Sequence, residues 1–227
     1  MAKGSRRGDG SRMLATRVKT ARGRSNASAR WLQRQLNDPY VQKAQLEGYR
    51  SRAAFKLIEL DERFKILSPY GRYVDLGCAP GGWTQVIAKK LKEGRVVGVD
   101  IQPVDPIDGA VLLELDIFSG NAVQLISQEL GGVAEAVLSD MAPSTTGHKS
   151  TDQLRIGALA DAAYDVAAQL LGAGGTFVVK VFQGGAPKEL LDLLKKDFSE
   201  VKHAKPPASR SDSAEMYLIA TGYKKST

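Results

Sequence analysis

From Tyr73 onward, short apolar runs alternate with segments of helical periodicity, and this alternation organises the chain. The apolar runs are Tyr73–Leu76, Arg95–Asp100, Val111–Leu115, Ala134–Ser139 and Thr176–Val181, followed by Val201–His203 and Met216–Thr221. Helical patterns occupy Trp83–Leu91, Ala122–Leu130, Gln153–Leu171 and, after the fifth run, Lys188–Asp197. The first five runs are almost unbroken in Val, Ile and Leu, as parallel strands are when helices cover both faces. The pattern predicts an α/β fold, an open, doubly wound, seven-stranded and mostly parallel sheet. Between the last two runs lies only a loop with Pro206 and Pro207, so these strands are expected to pair antiparallel. Upstream, Ser51–Leu60 places Ala54, Phe55, Leu57 and Ile58 as an amphipathic helix would, with Ser51 as its N-cap and Lys56 on or beside its buried face.

Charge divides the chain. Residues 1–30 carry nine lysines and arginines against Asp9 alone, a charge of +8, so the remaining residues sum to −1 within the net +7. A Gly/Ser/Arg-rich opening with few apolar groups buries too little surface to offset its ordering entropy, and residues 1–30 are read as a flexible basic arm suited to a polyanion. A solubilising tail and an organelle-targeting peptide are the competing readings. Residues 31–227 form the second unit, opened by a basic, weakly periodic segment from Trp31 to Tyr49 and expected to begin with an RNA-binding helical segment. No run reaches the roughly 18 apolar residues of a membrane span, and the N-terminus lacks a secretory signal, so a cytoplasmic protein is expected. Cys78 is the only cysteine, and with His148 and His203 far apart no Cys/His metal site is expected.

In doubly wound sheets ligands bind beyond the carboxyl ends of the strands. The first strand runs into Asp75-Leu76-Gly77-Cys78-Ala79-Pro80-Gly81-Gly82-Trp83, the second into Asp100, the third into Asp116-Ile117, the fourth into Asp140 and the fifth into Lys180. The glycines permit close backbone approach to a ligand. Ala79 occupies the second glycine position of a dinucleotide fingerprint and bulky Trp83 opens the next helix, which disfavours a pyrophosphate and favours an uncharged or cationic ligand. Asp100, about twenty residues after the loop, can accept both hydroxyls of a ribose, and Asp116 can receive an exocyclic amine. This is an adenosine pocket with a carboxylate-rich entrance, suited to S-adenosylmethionine. Helix capping by Asp100 or Asp116, and a core role for Trp83, are the competing readings. Cys78 is read as a small loop filler.

The segments Ser51–Leu57, Val74–Trp83, Ser139–Pro143, Val178–Gly184 and Ser209-Arg210 to Glu215-Met216-Tyr217 together resemble the FtsJ-type ribosomal RNA 2′-O-methyltransferases, the heat-shock-associated bacterial branch in particular. The resemblance runs from about Gly48 to Lys224. It implies a Rossmann-like methyltransferase fold and a lysine–aspartate–lysine–glutamate tetrad, which falls on Lys56, Asp140, Lys180 and Glu215, with Lys180 as base. It implies donor contacts at Gly81, Trp83, Asp100, Asp116 and Asp140, to which the same loops add Asp75, Gly77, Pro80, Gly82 and Ile117. The implied substrate is a uridine in large-subunit (23S) ribosomal RNA, free or within the 50S particle, and the implied enzyme a monomer. Cys78, where alanine is common, and the long arm are departures.

A ribose 2′-hydroxyl is a poor nucleophile until its proton leaves, so the protein must position it and remove that proton. A free lysine, with a pKa of about 10.4, is protonated at pH 7. Burial and Lys56 favour a neutral Lys180, whereas Asp140 and Glu215 oppose it, and the sequence leaves the balance open. Asp140 is assigned to orient Lys180 and touch the donor, Lys56 to hold the hydroxyl or steady the alkoxide, and Glu215 to position Lys56 or the ribose. Arg50, Arg52, Lys149, Lys202, Lys205 and Arg210 are candidate phosphate contacts and Tyr49 and Tyr70 candidate stacking residues, while loop Ser144–Thr151 is placed to close over the nucleotide. Three rivals stand beside this reading: 2′-O-methylation of tRNA or an mRNA cap, a non-catalytic RNA-binding ribosome-assembly factor, and an NAD-dependent dehydrogenase.

Overall fold

The computed structural model describes residues 35–143, 146–183 and 187–225. The expected basic arm, Trp31, Arg34 and part of the loop at 144–151 lie outside them, and the side chain of Lys149 is likewise not described. The seven strands are β1 (Arg72–Leu76), β2 (Arg95–Asp100), β3 (Val111–Glu114), β4 (Ala134–Ser139), β5 (Leu171–Phe182), β6 (Phe198–Ala204) and β7 (Glu215–Tyr223). The helices are α1 (Pro39–Leu46), α2 (Ala53–Phe64), α3 (Gly82–Lys90), α4 (Ala122–Leu130), α5 (Lys149–Leu170) and α6 (Lys188–Asp197). The sheet order is β3-β2-β1-β4-β5-β7-β6. β1 to β5 are mutually parallel, and β7 runs antiparallel to both of its neighbours, β5 and β6. The expected α/β sheet and antiparallel end are therefore present, and the structure adds that β7 inserts between β5 and β6.

Strand alternation divides the interior into two apolar layers. Val74, Val97, Val137, Phe177, Val179 and Leu218 pack beneath α4, α5 and α6. Tyr73, Val96, Leu138, Val178, Tyr217 and Ile219 pack beneath α2 and α3, where Leu57, Leu60, Val86 and Ile87 meet them. The same parity decides where the polar residues go. Lys180, two residues past Val178, points to the α2 side, and the antiparallel register Lys180↔Tyr217 and Phe182↔Glu215 brings the start of β7 to that corner. Inserting an antiparallel strand thus delivers its first residue, Glu215, to the edge where the parallel strands end.

Two local expectations change. Ser51 does not cap α2: Arg52 occupies the cap position without a side-chain bond, and the buried Ser51 hydroxyl lacks a hydrogen-bond partner. It packs instead against Gly82, where an added Cβ would approach its Oγ to 2.5 Å. The weakly periodic segment contains the ordered helix α1, whose start is fixed by Asp38 accepting from the Tyr40 N–H at 3.0 Å and by Pro39 in the first turn.

Candidate active site

At the carboxyl edge of the sheet, α2, β4, β5 and β7 each contribute one side chain to a buried chain of alternating charge. Glu215 Oε2 accepts from Lys56 Nζ at 2.9 Å, Lys56 Nζ lies 3.6 Å from Asp140 Oδ2, and Lys180 Nζ donates to Asp140 Oδ1 at 3.0 Å and also to the Asp140 carbonyl. Lys56 and Lys180 are 9% and 7% exposed, so hydration alone does not solvate either ammonium. Buried charges persist only when paired, and the two carboxylates supply those pairs. The four expected catalytic residues are brought together.

Tyr217 joins them. Its hydroxyl donates to Asp140 Oδ1 at 2.6 Å, and its ring lies beneath Lys56 at 5.9 Å and against Trp83 at 5.7 Å. Burial, followed by the charges of Asp140 and Glu215, pushes the Tyr217 phenol well above its ordinary pKa, so it stays a proton donor. Burial would raise the Asp140 carboxyl, but Lys180, Lys56 and the Tyr217 hydroxyl outweigh it and hold the group below the usual carboxylate range. Sequence reading missed Tyr217 as a site residue; its signal was parity, two residues from Glu215 on one strand face.

The expected donor-binding residues surround the adjoining strand ends. Asp100 accepts from the Ala79 N–H and the Gln102 N–H, both at 2.9 Å, and Asp116 accepts from the Phe118 N–H at 3.0 Å. Asp100 thus anchors loops through both of its oxygens and Asp116 through one. Asp75 is 1% exposed, accepts from Thr84 Oγ1 at 2.6 Å, and leaves Oδ1 without a partner. Burial, partly opposed by the Thr84 bond and reinforced by Asp140 and Asp100, pushes its pKa up to about 7. Ile117 is half-buried against the core, Pro80 is exposed, and Trp83 is buried with its Nε1 donating to the Ala53 carbonyl at 2.8 Å. Burial raises the Cys78 thiol pKa, as suits an inert loop filler.

Whether this edge fits S-adenosylmethionine can be tested on the glycine loop. A Cβ on Gly77 would approach Met141 Cγ to 2.3 Å, and one on Gly81, at φ 110°, would approach Ile107 Cδ1 to 2.6 Å. These glycines let Met141 and Ile107 pack close against the loop backbone; the fit to a donor rests instead on the carboxylates at the neighbouring strand ends, Asp100 held to the Ala79 N–H and Asp75 with a buried oxygen that has no partner. A cationic nucleoside ligand fits that donor set.

The RNA-side candidates divide. Arg52 Nη1 pairs with Asp38 at 2.8 Å and Arg52 Nη2 donates to the Ala208 carbonyl, while Arg210 meets the same carboxylate at 3.3 Å. Both line a cleft of about 360 Å³ that also contains Lys56, Ser213 and Glu215. Lys202 pairs with Glu200, and Lys205 donates to the Ser213 carbonyl at 2.6 Å. Tyr49 packs edge-on against Phe55, whereas Tyr70 is largely exposed.

The profile of the FtsJ-like methyltransferases matches residues 49–223. The chain belongs to this family. Its relatives include the ribosomal RNA large subunit methyltransferase E of Maricaulis maris, 58% identical over 94% of this chain and 76% of that protein. The protein of the same description from Paramagnetospirillum magneticum is 56% identical over 99% of this chain and 94% of its own length. Among solved structures, a ribosomal RNA methyltransferase from Plasmodium falciparum superposes with a TM-score of 0.69 at 31% identity, covering 77% of this chain and 98% of that one. In this FtsJ-like enzyme the described helix α1 and the Asp38 clamp precede the matched region, at the mouth of the cleft beside Lys56.

Proposed function

We propose that the enzyme methylates the 2′-hydroxyl of a uridine in 23S RNA of the large ribosomal subunit, with S-adenosylmethionine as methyl donor and Lys180 as general base. The observation that supports this reading is the buried Glu215–Lys56–Asp140–Lys180 chain, whose Lys56 and Glu215 end opens into a cleft that Arg52 and Arg210 also line. Arg52 and Arg210 in that cleft share a single carboxylate, Asp38, and a phosphate of a nucleotide chain is a fitting second partner for the two guanidiniums.

When bound, the donor supplies an electrophilic methyl group on a sulfonium. Gly77 and Gly81 would lie against it while Gly82 packs on Ser51, and Asp100 and Asp116 would accept from its ribose and base amine. Asp140 would supply negative charge beside it, and Asp75, buried and proton-holding up to about pH 7, would lie beneath the loop. The remaining chemistry belongs to the side chains. Lys180 Nζ receives the proton of the 2′-hydroxyl. Lys56 is held by two carboxylates and Lys180 by one, so losing the charge on Lys180 breaks fewer ion pairs. Asp140 keeps Lys56 as a partner after that loss, while the Tyr217 hydroxyl and Glu215 fix Asp140 and Lys56 in place. The Lys56 ammonium remains positive beside the developing alkoxide, which is the electrostatic contribution.

Residues 1–30 act as an RNA-binding arm, and the enzyme works as a cytoplasmic monomer on 23S RNA or the 50S particle; among the described residues no helix is long and apolar enough to cross a membrane. The test is methyl transfer from labelled donor to 50S particles, naked 23S RNA and tRNA, with nucleoside mass spectrometry of the product. The expected product is 2′-O-methyluridine in the large-subunit RNA. Label on a base, or on tRNA in preference to ribosomal RNA, overturns the assignment.

A further inference from the structure

We propose that Arg50 is a positioning residue for the methyl donor rather than an RNA contact: its guanidinium ties the glycine loop and the β2–β3 loop into one rigid rim. The inference rests on the assignment of S-adenosylmethionine to that loop. Arg50 Nη1 donates to the Pro80 carbonyl at 3.2 Å and to the Asp105 carbonyl at 2.7 Å, and Nη2 donates to the Pro106 carbonyl at 2.7 Å. Its own backbone is fixed, because the Arg50 N–H donates to Gln85 Oε1 at 2.8 Å and Gln85 Nε2 returns to the Gly48 carbonyl at 3.1 Å.

The first of these bonds acts on the reacting edge directly. The Pro80–Gly81 peptide presents its carbonyl to Arg50 and its N–H to the Cys78 carbonyl at 2.6 Å, so the plane entering Gly81 is held from both sides. Gly81 at φ 110° has many accessible conformations, and a glycine loop without such a clamp loses more entropy when a ligand orders it. Arg50 and Ile107 also form the roof over Gly81, where an added Cβ would lie 3.1 Å from Arg50 Nη1 and 2.6 Å from Ile107 Cδ1. The β2–β3 loop that carries Ile107 begins at Asp100, whose carboxylate holds the Ala79 N–H. The two loops are therefore joined twice, at Asp100–Ala79 and through Arg50. Three carbonyl acceptors in two directions require a planar fork; a lysine ammonium on a flexible stem cannot reproduce it. That difference separates this role from phosphate binding, for which a lysine suffices.

The experiment uses the full chain and three proteins: wild type, Arg50→Lys and Arg50→Ala. Calorimetric titration with S-adenosylmethionine and a separate titration with a 23S RNA fragment are the readouts. Donor affinity is expected to fall at least tenfold in both variants, with kcat at saturating donor within about threefold of wild type and RNA affinity unchanged in Arg50→Lys. Unchanged donor affinity together with an RNA defect restored by lysine overturns the proposal, and failure of the wild type to bind the donor overturns the underlying assignment instead. Should the variants fold poorly, hydrogen exchange of the wild type decides: donor binding is expected to slow exchange across residues 103–109 together with 79–82, and protection confined to 79–82 contradicts a shared rim.

Discussion

Tyr217 shows how a single hydroxyl sets the balance of the site. Its bond to Asp140 Oδ1 is charge-assisted and buried, and such bonds contribute about 1.5–3 kcal/mol. Tyr217→Phe is expected to lower stability by about that much and to slow turnover, because Asp140 is then free to shift toward either lysine; unchanged melting and unchanged kcat would remove Tyr217 from the network. Asp75 gives a prediction with the opposite sign from an ordinary carboxylate. Its folded pKa of about 7 lies above the unfolded value near 4, so between those limits the native state holds a proton that the unfolded chain has released. Stability from this group is complete below pH 4 and declines as the pH rises toward 7, by about 4 kcal/mol at most. Asp140, with its carboxyl held low, works in the other window and loses its contribution only as the pH falls below about 4. Denaturant melts of Asp75→Asn are expected to show a flatter profile from pH 4 to 7 and greater stability than wild type at pH 8. Parallel profiles for the two proteins would contradict the buried, proton-holding carboxylate.

At the scale of elements, the strands were legible in the sequence because parallel strands buried on both faces leave unbroken Val/Ile/Leu runs, and β2 and β4 coincide with theirs. The sheet order was not, since nothing local in β6 or β7 reports which of them lies beside β5. The bounds of helix α1 were not legible in the expected N-terminal helical segment because its apolar face is short, although Asp38-Pro39 is a start signal whose chemistry was readable. Helix α5 begins at Lys149, ahead of the periodic stretch from Gln153. Asp38 holds α1 in place: it caps the helix and pairs with both Arg52 and Arg210, while Tyr40 and Ala208 meet on Glu59. Asp38→Ala leaves two arginines without their carboxylate and is expected to cost about 3 kcal/mol, combining cap loss with a broken, mostly buried pair. Hydrogen exchange should quicken across residues 39–46; unaltered exchange there would mean that α1 is held by other contacts.

For the molecule as a whole, charge and chemistry are segregated, with the cations of residues 1–30 outside a nearly neutral catalytic body. Removing residues 1–30 is expected to weaken RNA binding and to make its salt dependence shallower, by about 0.7 in the log–log slope for each lost single-strand phosphate contact. Donor affinity and melting temperature should not move; a full salt slope after truncation would deny the arm its role. Asp140 and Lys180 were legible because each follows an apolar strand at the edge where this architecture collects ligands, whereas Lys56 and Glu215 came with the family resemblance. The roles of Tyr217 and Arg50 were not, because each depends on partners far away in sequence. The central claim, that Lys180 takes the proton, is tested most directly by single-turnover methyl transfer as a function of pH at saturating donor. The wild-type rate should rise about tenfold per pH unit before levelling, and Lys180→Ala should be slower by about 10²–10⁴ with donor binding intact and partial recovery on adding a small primary amine. A Lys180→Ala rate within threefold of wild type, following the same pH profile, would contradict it.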